Sequence, residues 1–107
     1  MADLDPRRGT EPGKTRPVLI VQSRALMHAG HPSTIVVPLT TNLVDAVEPL
    51  RVRFPRRGRL DRDSDLLIDQ IRAIDNRRLI GRALCRAPEL LLLRVGEAIR
   101  EVMDLVE

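Results

Sequence analysis

Arg16 stands directly before Pro17 and an unbroken apolar run, in the stretch GKTRPVLIVQ (13 to 22). Proline biases the residue before it toward extended geometry and away from helix, so this guanidinium is expected at the lip of a strand. Held there, it can donate two parallel hydrogen bonds to a phosphate or carboxylate. Other residue types that carry chemistry are sparse. His28 and His31 in HAGH are spaced for one helical face and could ligate a metal, but no Cys or His cluster elsewhere completes a set. They are read as a surface loop. Cys85 lies in an apolar stretch without an evident base and is read as a small buried side chain. DRDSD (61 to 65) gathers three acids that could hold a cation, yet four arginines occupy 56 to 62 and the acids are expected to neutralise them. No metal or other cofactor is expected.

The charge pattern leans the same way as Arg16. Seventeen of the eighteen basic residues are arginine, the residue suited to bidentate phosphate recognition. Residues 1 to 62 carry eleven Lys or Arg against six acids, while residues 63 to 107 carry seven against nine. A polyanion met by the front half fits that asymmetry, and so does ordinary solvated surface charge. Phe54 is the single aromatic residue, so stacking platforms for bases are unavailable and the core must be aliphatic. Cys85 has no intrachain partner, and neither a signal peptide nor an 18-residue apolar span is present. A soluble, cytoplasmic protein of one domain, 1 to 107, is expected.

The elements that must position Arg16 follow from periodicity. Residues 1 to 16, rich in Pro, Gly and charge, are read as a mobile loop. PVLIVQ (17 to 22) and STIVVPLT (33 to 40) are read as central strands buried on both faces. A loop with Gly30 and Pro32 joins them. In LRVRF (50 to 54), Leu50, Val52 and Phe54 alternate with Arg51 and Arg53, which predicts a half-exposed strand. PRRGRLDRD (55 to 63) turns back, residues 64 to 74 supply further strand, and LIGRALC (79 to 85) is expected to add a short one. From Pro88, placed at a first helical position, Leu92, Val95, Ile99, Val102 and Val106 recur at three and four residue steps and predict an amphipathic helix. Gly96 inside it suggests a close helix contact. The architecture expected is mainly β with α (α+β), several short strands and a C-terminal helix that make a small, largely antiparallel β-barrel.

Three blocks in order, MADLDPRRGTEPGKTRPVLIVQ, STIVVPLTTN and DSDLLIDQIRAIDNRRLIG, together with the terminal helix, resemble the MazF and PemK type toxins over nearly the whole chain. Members usually begin with more residues, so the first strand is expected to be short here. The resemblance implies an SH3-like, MazF/CcdB-like barrel and a homodimeric, metal-independent endoribonuclease of a type II toxin–antitoxin pair. Such enzymes cut single-stranded RNA at short sequences through 2′-hydroxyl attack, leaving a 2′,3′-cyclic phosphate and a 5′-hydroxyl. A cognate antitoxin is the implied protein partner and no membrane is involved.

Matched residue by residue, Arg16 and Thr40 fall on the family's catalytic pair and Glu11 on a supporting loop glutamate. Arg7, Arg8 and Lys14 would bind RNA backbone, and Ser64 and Gln70 match polar positions that contact substrate or support the loop. Arginine holds its proton and threonine is a poor free base, so both are assigned to positioning and charge stabilisation. On residue type alone, a surface arginine before a proline and a threonine ending a strand would look identical. A non-catalytic CcdB-like module that binds gyrase, or a silenced toxin that binds only its antitoxin, stands as the alternative, since one fold serves several functions.

Overall fold

The structure, a computed structural model, describes residues 1–4 and 15–105. Its centre is strand β4, Ser33–Thr40, whose Ile, Val and Thr residues suit a pleated, buried surface. Both edges of β4 are used. On one side lies β3, Val18–Ile20, with Val18 opposite Pro38, Leu19 opposite Val37 and Ile20 opposite Val36. On the other side two strands share the edge: β7, Arg72–Asp75, pairs Ser33 through Val36, and β6, Ser64–Leu67, pairs Leu39 and Thr40. Between β6 and β7 the chain makes a three-residue 3-10 turn, Ile68–Gln70. The pairing register to β4 shifts by those same three residues across the turn, so the two strands behave as one strand with a bulge.

Pro38 lies in β4 where one partner gives way to the other, the one place on that edge where a missing N–H breaks no ladder bond. Strand β5, Arg51–Phe54, pairs antiparallel to β6, and a two-stranded piece joins β1, Ala2–Asp3, to β2, Thr15–Arg16. Among the described residues the strand path stays open.

Each face of the sheet is covered by a different segment. Val37, Leu39, Val52, Phe54 and Leu66 point to one side, where Leu91, Val95 and Ala98 of helix α2, Glu89–Val102, close over them. On the opposite side Ala2 and Leu4 cover Val36 and Ile74 in a second, smaller core. The structure is thus α+β, antiparallel strands with a C-terminal helix.

Several expectations need correction. The run 17 to 22 forms only a three-residue strand with Ile20 exposed, because the Gln22 side chain takes over the ladder, donating to Ser33 O and accepting from Ile35 N. The next residues are a short helix, α1, Arg24–His28, capped by Ser23, where a loop was expected. Residues 2 to 4 and 15 to 16 belong to strands or to the second core, since Ala2 and Leu4 alternate with Asp3 and bury fully, and Met1 O accepts from Ile80 N; residues 5 to 14 of the expected mobile loop lie outside the described residues. Leu50 precedes β5 and is half exposed. Residues 79 to 85 form no strand: Leu79 makes a single bridge to Ala2, and Gly81 at φ 71° then turns the chain away.

In α2, Pro88 is the N-cap and Leu91 is buried where Leu92 was expected. Val106 lies outside the described residues. A Cβ added at Gly96 would meet nothing within 4 Å, so the close contact expected there is absent. Glycine costs a helix interior about 0.5–1 kcal/mol against alanine. Gly96→Ala is therefore expected to raise the stability of the protein by about that amount, seen as a higher urea or thermal midpoint.

Candidate functional site

Arg16 is held from two sides. Pro17 O accepts from Leu39 N at 3.0 Å and Val21 N donates to Ile35 O at 3.0 Å, so the odd residues of 17 to 21 turn their backbone groups to β4. Arg16 therefore turns its own toward β1, where it pairs Ala2. The β3–β4 register carried two residues back from Val18 and Pro38 sets Arg16 opposite Thr40. In that register their backbone groups face outward from each other, toward β1 and β6, as in a non-hydrogen-bonded pair, the closer of the two antiparallel spacings, with side chains on one face. Both residues are half-buried.

The row does not stop there. Thr40 pairs Asp65 on β6, and Asp65 pairs Arg53 on β5. Four strands thus present Arg16, Thr40, Asp65 and Arg53 side by side, on the face opposite the Leu39, Leu66 and Val52 row. Thr40 Oγ1 accepts from Asn42 N at 3.2 Å, which leaves its hydroxyl hydrogen to donate elsewhere.

Asp65 is only 1% exposed and fully partnered: Oδ1 accepts from Arg53 Nε at 2.6 Å, and Oδ2 accepts from Val44 N at 2.9 Å and from an Arg51 guanidinium nitrogen at 3.4 Å. Burial would push this carboxyl up, but the Val44 N–H and the Arg53 guanidinium outweigh it and hold it below the usual carboxylate range. Arg53 also donates to Asp45 at 2.7 Å, and both carboxylates push its guanidinium up. A hollow of about 410 Å³ lies beside this cluster, walled by Val44, Asp45, Glu48, Arg51 and Arg53.

The other expected residues scatter. Glu11, Arg7, Arg8 and Lys14 lie outside the described residues. Ser64 faces the α2 core opposite Phe54, is 1% exposed and donates to Arg62 O at 3.2 Å, so it presents no group to a ligand here. Gln70 is half-buried at the end of the 3-10 turn. His28 ends α1, and His31 Nδ1 is engaged with Ser33, both exposed. Cys85 is half-buried against the α2 core. Among the described residues no three His, Cys, Asp or Glu side chains are gathered as a metal site. The DRDSD acids divide: Asp63 accepts from Arg56 N at 2.8 Å, whereas Asp65 serves arginines of β5 rather than those of 56 to 62. Arg51, Arg53 and Asp65 were not singled out as a cluster from sequence, because only the register shows that they meet.

Fold and rim together define a small α+β protein with a polar row suited to holding an anion. Residues 1–103 match the family described as PemK-like, MazF-like toxin of type II toxin-antitoxin system. Endoribonuclease EndoA of Bacillus subtilis (strain 168) is 33% identical over 107 residues, spanning 99% of this chain and 90% of the relative. The fold is similar to that of Mycobacterium tuberculosis toxin MazF-mt6, with a TM-score of 0.79 at 24% identity over 99% of this chain and 95% of that one. It is also similar to an endoribonuclease in complex with its cognate antitoxin from Mycobacterial species, with a TM-score of 0.74 at 20% identity over 99% and 90% of the two chains. The chain belongs to the PemK-like, MazF-like toxin family of type II toxin-antitoxin systems. Among the described residues no helix is long and apolar enough to cross a membrane.

Proposed function

We propose that this chain is a toxin that acts as a sequence-selective endoribonuclease on single-stranded RNA in the cytoplasm, as a homodimer silenced by a cognate antitoxin. The Bacillus relative carries the activity in its name, and the mycobacterial neighbour is an endoribonuclease bound to its antitoxin. The observation that carries the reading is the β3–β4 register, which, continued through the Pro17–Leu39 bond, brings Arg16 across from Thr40.

The chemistry follows from what those groups can do. A ribose 2′ oxygen attacks the adjacent phosphorus, the bond to the 5′ oxygen breaks, and the products are a 2′,3′-cyclic phosphate and a 5′-hydroxyl. The proton lost by the 2′-hydroxyl is balanced by one gained at the 5′ oxygen. Negative charge gathers on the phosphoryl oxygens in between. Arg16 donates a rigid fork to those oxygens, and the Thr40 hydroxyl, with Asn42 N already on one lone pair, donates beside it. The substrate supplies the nucleophile, so no Ser, Cys or His need do so, and Glu11, Arg7, Arg8 and Lys14 are assigned to supporting the loop and holding RNA backbone. Ser64 fits support from behind the sheet better than contact, and Gln70 remains assigned to the RNA side. With one aromatic residue in the chain, base choice rests on hydrogen bonding and loop shape.

Because Arg16 supplies the charge stabilisation, a divalent cation is not required. Protein freed of metal and assayed in EDTA on a long single-stranded RNA is expected to cut at full rate and leave cyclic phosphate ends. A requirement for Mg²⁺, or fragments ending in a 3′-hydroxyl, would overturn the proposed chemistry.

A further inference from the structure

The cluster behind Thr40 ties down the chain that follows it. Residues 41 to 50 link β4 to β5 and bear no strand or helix, yet three successive points are fixed. Asn42 O accepts from Arg51 at 2.8 Å, Val44 N donates to Asp65 Oδ2 at 2.9 Å, and the Asp45 carboxylate accepts from Arg53 at 2.7 Å. All three ties run through Arg51, Arg53 and Asp65, and Asp65 is the member that joins the two arginines. Asn42 is in turn the residue whose N–H occupies Thr40 Oγ1.

We propose, resting on the nuclease reading above, that Asp65 is a positioning residue for that reaction: through Arg51 and Val44 it fixes Asn42, and Asn42 N–H orients the Thr40 hydroxyl as a hydrogen-bond donor toward the RNA phosphate. The arrangement has the features of such a support. Asp65 and Thr40 are direct cross-strand partners, so the carboxylate sits beside the group it governs without touching substrate itself. It accepts three hydrogen bonds from three directions, which leaves it little freedom to move. A hydroxyl rotor left unheld would sample three staggered positions; an N–H on one lone pair excludes the position facing Asn42 and leaves the hydrogen the two that point away from it. Small displacements matter at such a site, since a shift of about 1 Å can cost on the order of a hundredfold in rate.

The test combines a double-mutant cycle with amide exchange on the full chain. Asp65→Asn and, as a variant that keeps the buried carboxylate, Arg51→Met are compared with the wild type and with Thr40→Val. Each is expected to lower kcat roughly tenfold to a hundredfold with KM little changed, and to speed exchange of the Asn42 and Val44 amides. In a Thr40→Val background, followed by single-turnover cleavage, neither is expected to lower the rate further, because residues acting through one group are not additive. Losses that multiply with Thr40→Val, or a change confined to KM, overturn the proposal. So does free-loop exchange of the Val44 amide in the wild type, whatever the activity. A wild type that protects both amides but cleaves no RNA would instead sink the nuclease reading, and the step through Thr40 with it.

Discussion

Arg16→Ala is expected to lower the rate of RNA cleavage by roughly a hundredfold to a thousandfold, the loss typical when one preorganised donor to a developing oxyanion is removed, about 3–4 kcal/mol. The effect should fall on kcat, since the charge that Arg16 meets is greatest in the transition state. Folding should survive, because Arg16 belongs to neither hydrophobic core and its strand pairing with Ala2 is made by the backbone. Arg16→Lys sharpens the result. It keeps the positive charge but loses the planar fork, so it should recover only part of the lost rate. Cleavage time courses on one RNA, with circular dichroism and urea midpoints alongside, separate the two quantities. Arg16→Ala within a few fold of the wild type would remove Arg16 from the centre of the reaction.

How much of this was legible beforehand depends on whether the cause was local or lay across strands. The strand at 33 to 40 and the alternation at Val52 and Phe54 were legible, because burial of β-branched and alternating residues writes itself into sequence. So was the existence of the last helix, though its buried face was misplaced by one residue: Leu90 to Leu93 are all leucine, and periodicity alone could not say that Leu91 would turn inward. Arg16 before Pro17 was visible as a strand-edge arginine, and the resemblance paired it with Thr40. What could not be read was register. Asp65 looked like one acid among three neutralising nearby arginines, and only the pairing of Thr40 with Asp65 and Asp65 with Arg53 shows it as the hub of a clamp. The early end of β3 was hidden for a similar reason, since nothing in Gln22 itself says that its amide will bond Ser33 and Ile35.

Leu66→Ala should give the opposite pattern from Arg16→Ala, a large loss of stability with the chemistry of the remaining folded protein intact. Leu66 is fully buried and sits opposite both Leu39 and Val52, so it links three strands beneath α2. Truncating a buried leucine removes its transfer energy and leaves a cavity, together about 2–5 kcal/mol, against a total stability of about 5–15 kcal/mol for an ordinary protein. At a urea slope of about 2 kcal/mol per M the midpoint should fall by about 1–2.5 M, with the slope unchanged. Leu66→Met, which conserves volume, should cost less than about 1.5 kcal/mol. All variants must be compared at one protomer concentration, because dimer formation would couple apparent stability to concentration. A Leu66→Ala protein within about 0.5 kcal/mol of the wild type, the range of ordinary surface changes, would mean that β6 does not carry the core between the helix and the rim. The polar row on the other face of β6 would then have lost the rigid backing that holds Asp65 beside Thr40.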